Sequence, residues 1–213
     1  MSDRLLFESL EGLRGTGKST IAPMLAAARE AVLVPTVPLL YLPLRREIDM
    51  RGNVEARMCF YLSGLFTAVD EIQRYLSAGI PVVVESYFAR CLANHRAFGA
   101  RLGIALPPDL PEPVTYHLVC AEDERRRRLA ERDKPASRWD VLGEEVSDRI
   151  TDAYSRFPMH RVDTTGLGPE QVVQAILATD TQGAHRRADA ESVGAHRHLL
   201  PPVPRRSEGT RLP

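Results

Sequence analysis

The hydrophobic positions along this chain switch repeatedly between two spacings. Short apolar or β-branched runs at 4–10 (RLLFESL), 31–34, 81–85 (PVVVE), 114–120 (VTYHLVC) and 160–162 read as buried strands. Between them, 18–30, 53–78, 87–102, 122–132, 143–156 and 168–179 carry helical spacing. In 53–78 the residues Met58, Leu62, Leu65, Val69, Ile72 and Leu76 recur at steps of three and four, and Gly79 stands where that helix should stop. Pro23 is tolerable only near the first turn of its helix. Pro35, Pro38 and Pro43 argue for an irregular or extended course over 35–52, and Pro135 for a polar loop over 133–142. Strands alternating with helices in this order predict a parallel, doubly wound sheet. The pattern fades after residue 180, so 181–213 reads as a disordered tail. Its His185, His196 and His198 read as solvated residues of that tail before they read as metal ligands.

Composition narrows this picture. A length of 213 residues suits one α/β domain with a substantial core, and 44% hydrophobic with 26% charged residues is ordinary for a globular chain. Zero formal net charge argues against a broad electrostatic hold on nucleic acid or anionic lipid, so neither is expected as a partner. Of 28 basic residues only Lys18 and Lys134 are lysine. GC-rich coding accounts for most of that bias. A lysine inside a glycine loop of such a chain nevertheless marks a position suited to a compact ammonium and not to a planar guanidinium. Cys59, Cys91 and Cys120 form no CxxC pair and suit a reducing compartment. The first residues lack signal-peptide anatomy, and no apolar run approaches the ~20 residues of a membrane span. The expectation is a cytoplasmic protein without a membrane partner.

The chemistry begins at 12–19. Gly12-Leu13-Arg14-Gly15-Thr16-Gly17-Lys18-Ser19 fits G-x-x-x-x-G-K-[ST] without a mismatch, between a predicted strand and a predicted helix. Glycines let the backbone curl so that successive N–H groups face inward around anionic oxygen. The helix that follows directs its positive end toward the same place. In such a loop Lys18 bridges the β- and γ-phosphates and Ser19 ligates Mg²⁺, so the expected cofactors are ATP and Mg²⁺. Candidate nucleotide-binding residues are Gly12, Arg14, Gly15, Thr16, Gly17, Lys18, Ser19 and Thr20.

The stretch from Phe7 to Thr20, F-E-S-L-E-G-L-R-G-T-G-K-S-T, resembles thymidylate kinases and related nucleoside and nucleotide kinases, in which the loop follows a strand ending in Glu-Gly. Glu85-Ser86-Tyr87 is similar to their Asp-Arg-Tyr-like motif. The run 121–132 followed by DKPASRW is similar to their arginine-rich helix leading into a lid. Val162-Asp163-Thr164-Thr165-Gly166 is similar to their last strand and adenine-side loop. The resemblance spans about 4–179 and implies a three-layer α/β/α P-loop NTPase fold, with a parallel five-stranded sheet and a helical lid near 133–143, within a domain over 1–180. It also implies possible pairing of two copies through helix 53–78. Departures are visible: Ser86 replaces the motif's arginine, Arg14 replaces an acidic or small residue, and Tyr61-Leu62-Ser63-Gly64 lacks the usual acceptor-side arginine.

Phosphoryl transfer calls for positioning and charge neutralisation. Lys18 and Glu85 are the central catalytic candidates. Glu85 ends a central strand, where it holds Mg²⁺ with Ser19, accepts a proton from an attacking hydroxyl, or only caps the next helix. Arg128, Arg132 and Arg138 are candidates to close over the transferred group, with a solvated helix face as the alternative for each. Arg45, Arg46 and Tyr87 are candidates for contact with a small-molecule acceptor, and Tyr87 has core packing as its alternative. The reading is an ATP-dependent phosphotransferase acting on a nucleotide, nucleoside or related metabolite, with a non-catalytic or regulatory ATP-binding protein as the alternative.

Overall fold

In the computed structural model, which describes residues 7–132 and 135–190 with side chains through 179, five strands form one parallel sheet. They are β1 (Phe7–Glu11), β2 (Val32–Val34), β3 (Val82–Glu85), β4 (Val114–Val119) and β5 (His160–Asp163), in the order β2-β3-β1-β4-β5. β1 pairs with β3 from Phe7–Val82 to Leu10–Glu85 and with β4 from Glu8–Val114 to Glu11–His117. The C-terminal ends of β1 and β3 therefore lie side by side, bringing the glycine loop next to Glu85.

Each crossover in a parallel sheet needs a helix, and the helices cover both faces. They are α1 (Lys18–Ala28), α2 (Leu42–Met50), α3 (Val54–Ser77), α4 (Phe88–Ala97), α5 (Glu122–Ala130), α6 (Arg138–Glu145), α7 (Ser147–Tyr154) and α8 (Pro169–Ala190). Alternation along β3 divides the core. Val82 and Val84 pack with Met58, Leu62, Leu65 and Ile72 of α3, while Val83 packs with Leu25 of α1 and Ile176 of α8. The apolar stripe expected in 53–78 is thus buried within the chain.

Three expectations need correction. Residues 35–52 are not irregular throughout: a 3-10 turn at Leu39–Tyr41 leads into α2, because Pro43 falls in the first helical turn, where its missing N–H costs nothing. The polar loop expected over 133–142 contains the start of α6. There Ser137 and Asp140 form a capping box, and the chain breaks again at Val146 between α6 and α7. The final helix does not stop at 179. The chain divides into two units, Met1–Thr179 and Asp180–Pro213. In the second, helix persists to Ala190 through a stretch rich in alanine and arginine and free of proline. That part of the segment read as disordered is helical, and 191–213 lie outside the described residues. Among the described residues, no helix is long and apolar enough to cross a membrane.

Candidate active site

The loop between β1 and α1 is shaped by three left-handed glycines, Gly12 (φ 137°), Gly15 (φ 91°) and Gly17 (φ 100°). A side chain at Gly12 would meet the Leu118 carbonyl, and one at Gly15 would meet Arg125. Only glycine satisfies both backbone and space there. Gly17 caps α1 without a side-chain hydrogen bond, and no acidic residue occupies the helix's first turn. The first N–H groups and the positive end of α1 therefore face the loop with no acidic residue in the helix's own first turn. Thr16 braces the curl by donating to the Leu13 carbonyl at 2.9 Å.

Lys18 lies across the loop. Its ammonium donates to the carbonyls of Gly12 and Leu13, both at 2.8 Å, and the side chain is 5% exposed. Burial holds it down to about 7, assisted by the Arg90 guanidinium, with Glu85 and Glu11 pulling the other way. Next to it the Ser19 hydroxyl donates to Glu85 Oε1 at 2.7 Å. These residues are 66 positions apart in the chain, and the β1–β3 register brings them together. A hydroxyl and a carboxylate oxygen form a hard donor pair of the kind Mg²⁺ accepts. Thr20 follows on α1, exposed.

Two residues not singled out from sequence belong to this region. Glu11, the last residue of β1, is fully buried and accepts the Tyr87 N–H at 2.6 Å. Burial pushes its carboxyl up to about 7, against the opposing influence of the Tyr87 N–H, Arg90 and Lys18. Arg90, on α4, donates to the Ser86 hydroxyl at 3.3 Å. Glu11 was visible in sequence as the Glu of Glu-Gly, and Arg90 only as a residue one turn after Ser86.

Other candidates sit differently. Arg14 pairs with Asp140 of α6 at 3.3 Å, and its carbonyl accepts from Arg125 at 3.0 Å. Arg125, 2% exposed, also binds Glu122 at 2.8 Å and Glu144 at 2.6 Å, joining the loop, α5 and α6. Arg128 pairs with Glu124 at 2.5 Å and donates to the Thr164 hydroxyl and carbonyl, holding the turn after β5. Arg132 is exposed just after α5, close enough to disfavour the Lys18 charge slightly. Arg138 is exposed, stacks at 5.7 Å on Trp139 and lies against Gly52, on the far side of α6 from the glycine loop's partner Asp140.

On the acceptor side, Arg45 is half-exposed and bound to Asp49 at 3.6 Å and to the Tyr61 hydroxyl at 3.2 Å, while Arg46 is exposed. Tyr87 is 7% exposed, its ring packed between Phe7 and Phe88, which places it in the core instead of against a ligand. A knot nearby ties four helices. Arg57 of α3 pairs with Asp49 of α2 at 2.8 Å and lies between the rings of Tyr61 (4.5 Å) and Trp139 (4.7 Å). Arg57 also donates to His95 Nε2 of α4 at 3.0 Å, and the Trp139 indole N–H donates to the Asp49 carbonyl at 2.8 Å. Burial holds His95 down to about 4, so its ring is neutral: Nδ1–H donates to the Cys91 carbonyl and Nε2 accepts from Arg57.

No family model matches the chain, and no curated protein matches it. Among solved structures it resembles a thymidylate kinase from Candida albicans. The TM-score is 0.69 at 16% identity, over 86% of this chain and 94% of that one. The protein described there is characterised by broad substrate specificity and a novel structural element. The likeness establishes a thymidylate kinase-like α/β fold for this chain, with the five-stranded parallel sheet covered by helices on both faces.

Proposed function

We propose that this chain is an ATP-dependent phosphotransferase that moves a γ-phosphoryl group to a nucleotide, nucleoside or related small metabolite. The reading rests above all on one arrangement: a loop curled by three left-handed glycines, an ammonium across it, and a hydroxyl–carboxylate pair at its edge. In this role the 12–17 backbone and the N-terminus of α1 bind the donor's phosphates, and Lys18 exchanges its two carbonyl partners for phosphate oxygens. Ser19 and Glu85 would hold Mg²⁺, which supplies positive charge against the phosphates when bound. The thymidylate kinase-like fold supports this reading, as does the position of the loop at the C-terminal ends of β1 and β3, where open α/β sheets bind ligands. The same proposal includes the segment about 133–143, with the start of α6 in it, as the lid, a cytoplasmic location, and pairing of two copies through helix α3, whose Phe66 is 37% exposed.

One observation favours the second reading, an ATP-binding protein without turnover: Arg45 and Arg57 on the acceptor side are already paired with Asp49. Lys18→Ala separates the alternatives. In the kinase reading, the folded variant loses phosphoryl transfer by roughly 10²-fold or more, measured as nucleoside diphosphate release. Equal release by variant and wild type would overturn it. Wild-type binding of ATP without release across a panel of acceptors would favour the second reading.

A further inference from the structure

Three successive carbonyls of the glycine loop are held by side chains, and one of the holders comes from elsewhere in the chain. The Gly12 and Leu13 carbonyls accept from Lys18, and Leu13 accepts from Thr16 as well, so both are held from within 12–18. The Arg14 carbonyl accepts instead from Arg125 Nη1 of α5 at 3.0 Å, 111 positions away in the chain. Arg125 is 2% exposed, and a guanidinium so far withdrawn from water needs close anions. Two carboxylates supply them: Nε and Nη2 donate to Glu122 at 2.8 and 2.9 Å, and Nη1 and Nη2 donate to Glu144 at 2.9 and 2.6 Å. With the Arg14 carbonyl, all the N–H donors of a guanidinium are engaged. The approach is close, since a β-carbon on Gly15 would stand 2.9 Å from Arg125 Cγ.

We infer that Arg125 is a positioning residue for the phosphate donor: by drawing the Arg14 carbonyl toward α5, it turns the Gly15 N–H into the cup to donate to a phosphate oxygen. This rests on the reading of the loop as the ATP site. The 14–15 peptide is planar and trans, so its C=O and N–H point in opposite directions. A carbonyl held on α5 therefore aims the next N–H away from α5. When Lys18 exchanges its carbonyl partners for phosphate, Gly12 and Leu13 lose that tether, whereas the one on Arg14 stays. Glu122 and Glu144 answer the guanidinium charge, so Arg125 contributes orientation and no net attraction for the donor. Its bond also polarises the peptide, which strengthens the Gly15 N–H as a donor.

The test measures binding of AMP-PNP with Mg²⁺ to the full chain by calorimetry and follows the Gly15 and Gly17 amide protons by NMR, at a temperature below the melting range of every variant. In wild type both amide protons move downfield on binding. In Arg125→Met the affinity falls about tenfold, the effect of one misaligned hydrogen bond to a charged group, and the Gly15 shift shrinks by about half or more while the Gly17 shift is kept. Glu144→Gln controls for a merely structural role. It loosens α6 but leaves Glu122 on Arg125, so the melting temperature falls while AMP-PNP affinity stays within about twofold of wild type. Should Arg125→Met not fold, Arg125→Lys decides: an ammonium lacks the planar fork that serves two carboxylates and a carbonyl together, and affinity falls by about threefold or more. The inference is overturned if folded Arg125→Met, or Arg125→Lys in its place, binds within about twofold of wild type. It is also overturned if Glu144→Gln weakens binding as much as Arg125→Met, or if the Gly15 and Gly17 shifts shrink together. If wild type itself fails to bind AMP-PNP, the reading of the loop as an ATP site falls as well. If wild type and Arg125→Met bind it equally, only the role of Arg125 falls.

Discussion

The glycine loop and the knot around Arg57 are both crowded with charge, but they are built in opposite ways. In the knot every charge is answered by the protein: Arg57 has Asp49, two aromatic faces and a neutral imidazole. In the loop, backbone conformation does the positioning, and the ammonium of Lys18 rests on carbonyls, which are weaker partners than anions. A region that satisfies its own charges stabilises the fold, whereas one that leaves cations on neutral partners is organised to receive an anion. Arginine occurs in both, so residue type alone does not tell them apart.

Substitutions test that contrast, beginning with the largest effect. Gly12→Ala should destabilise by about 3–5 kcal/mol, because a β-carbon at φ 137° also runs into the Leu118 carbonyl. Denaturant melts check this, and loss of less than about 1 kcal/mol would mean the loop is not conformationally fixed. Arg57→Ala should cost about 3 kcal/mol by breaking a largely buried pair, while leaving ATP affinity within about twofold. A matching fall in ATP affinity would show that knot and loop are not separate.

His95 gives the knot a pH dependence. Its folded value near 4 lies below the ordinary 6.5, so between these the unfolded chain binds the additional proton and stability falls as pH drops. Wild type should lose about 2 kcal/mol more than His95→Gln between pH 7.5 and pH 5. An equal loss in both would place the sensitivity elsewhere. At the other end of the scale, Arg126→Ala removes an ion pair whose arginine side chain is 72% exposed, and should change stability by less than about 0.5 kcal/mol.

How much of this could be read from the chain differs by element. Strands and long helices were legible because apolar periodicity reports burial directly, as in the α3 stripe and the Val82–Val84 run. The helix at Leu42–Met50 is hidden in the sequence because proline signals a break in general, while here Pro43 stands in a first turn that accepts it. In the site, Lys18 and Ser19 were legible because phosphate binding by a backbone loop needs a fixed local spacing. Glu85 was legible as a strand end, although its 2.7 Å contact with Ser19 depends on register. The roles of Arg128 and Tyr87 were not legible, since an arginine on a charged helix reads alike whether it faces solvent, ligand or Thr164.

By itself, then, the chain's order of residues determined the glycine loop, the alternating elements and the parallel sheet, since each follows from neighbours close in sequence. Tertiary structure alone decided which of the half-buried arginines have a carboxylate within salt-bridge distance. A pairing such as Arg57 with Asp49 and Trp139 arises from how separate helices pack, and local spacing carries no record of it.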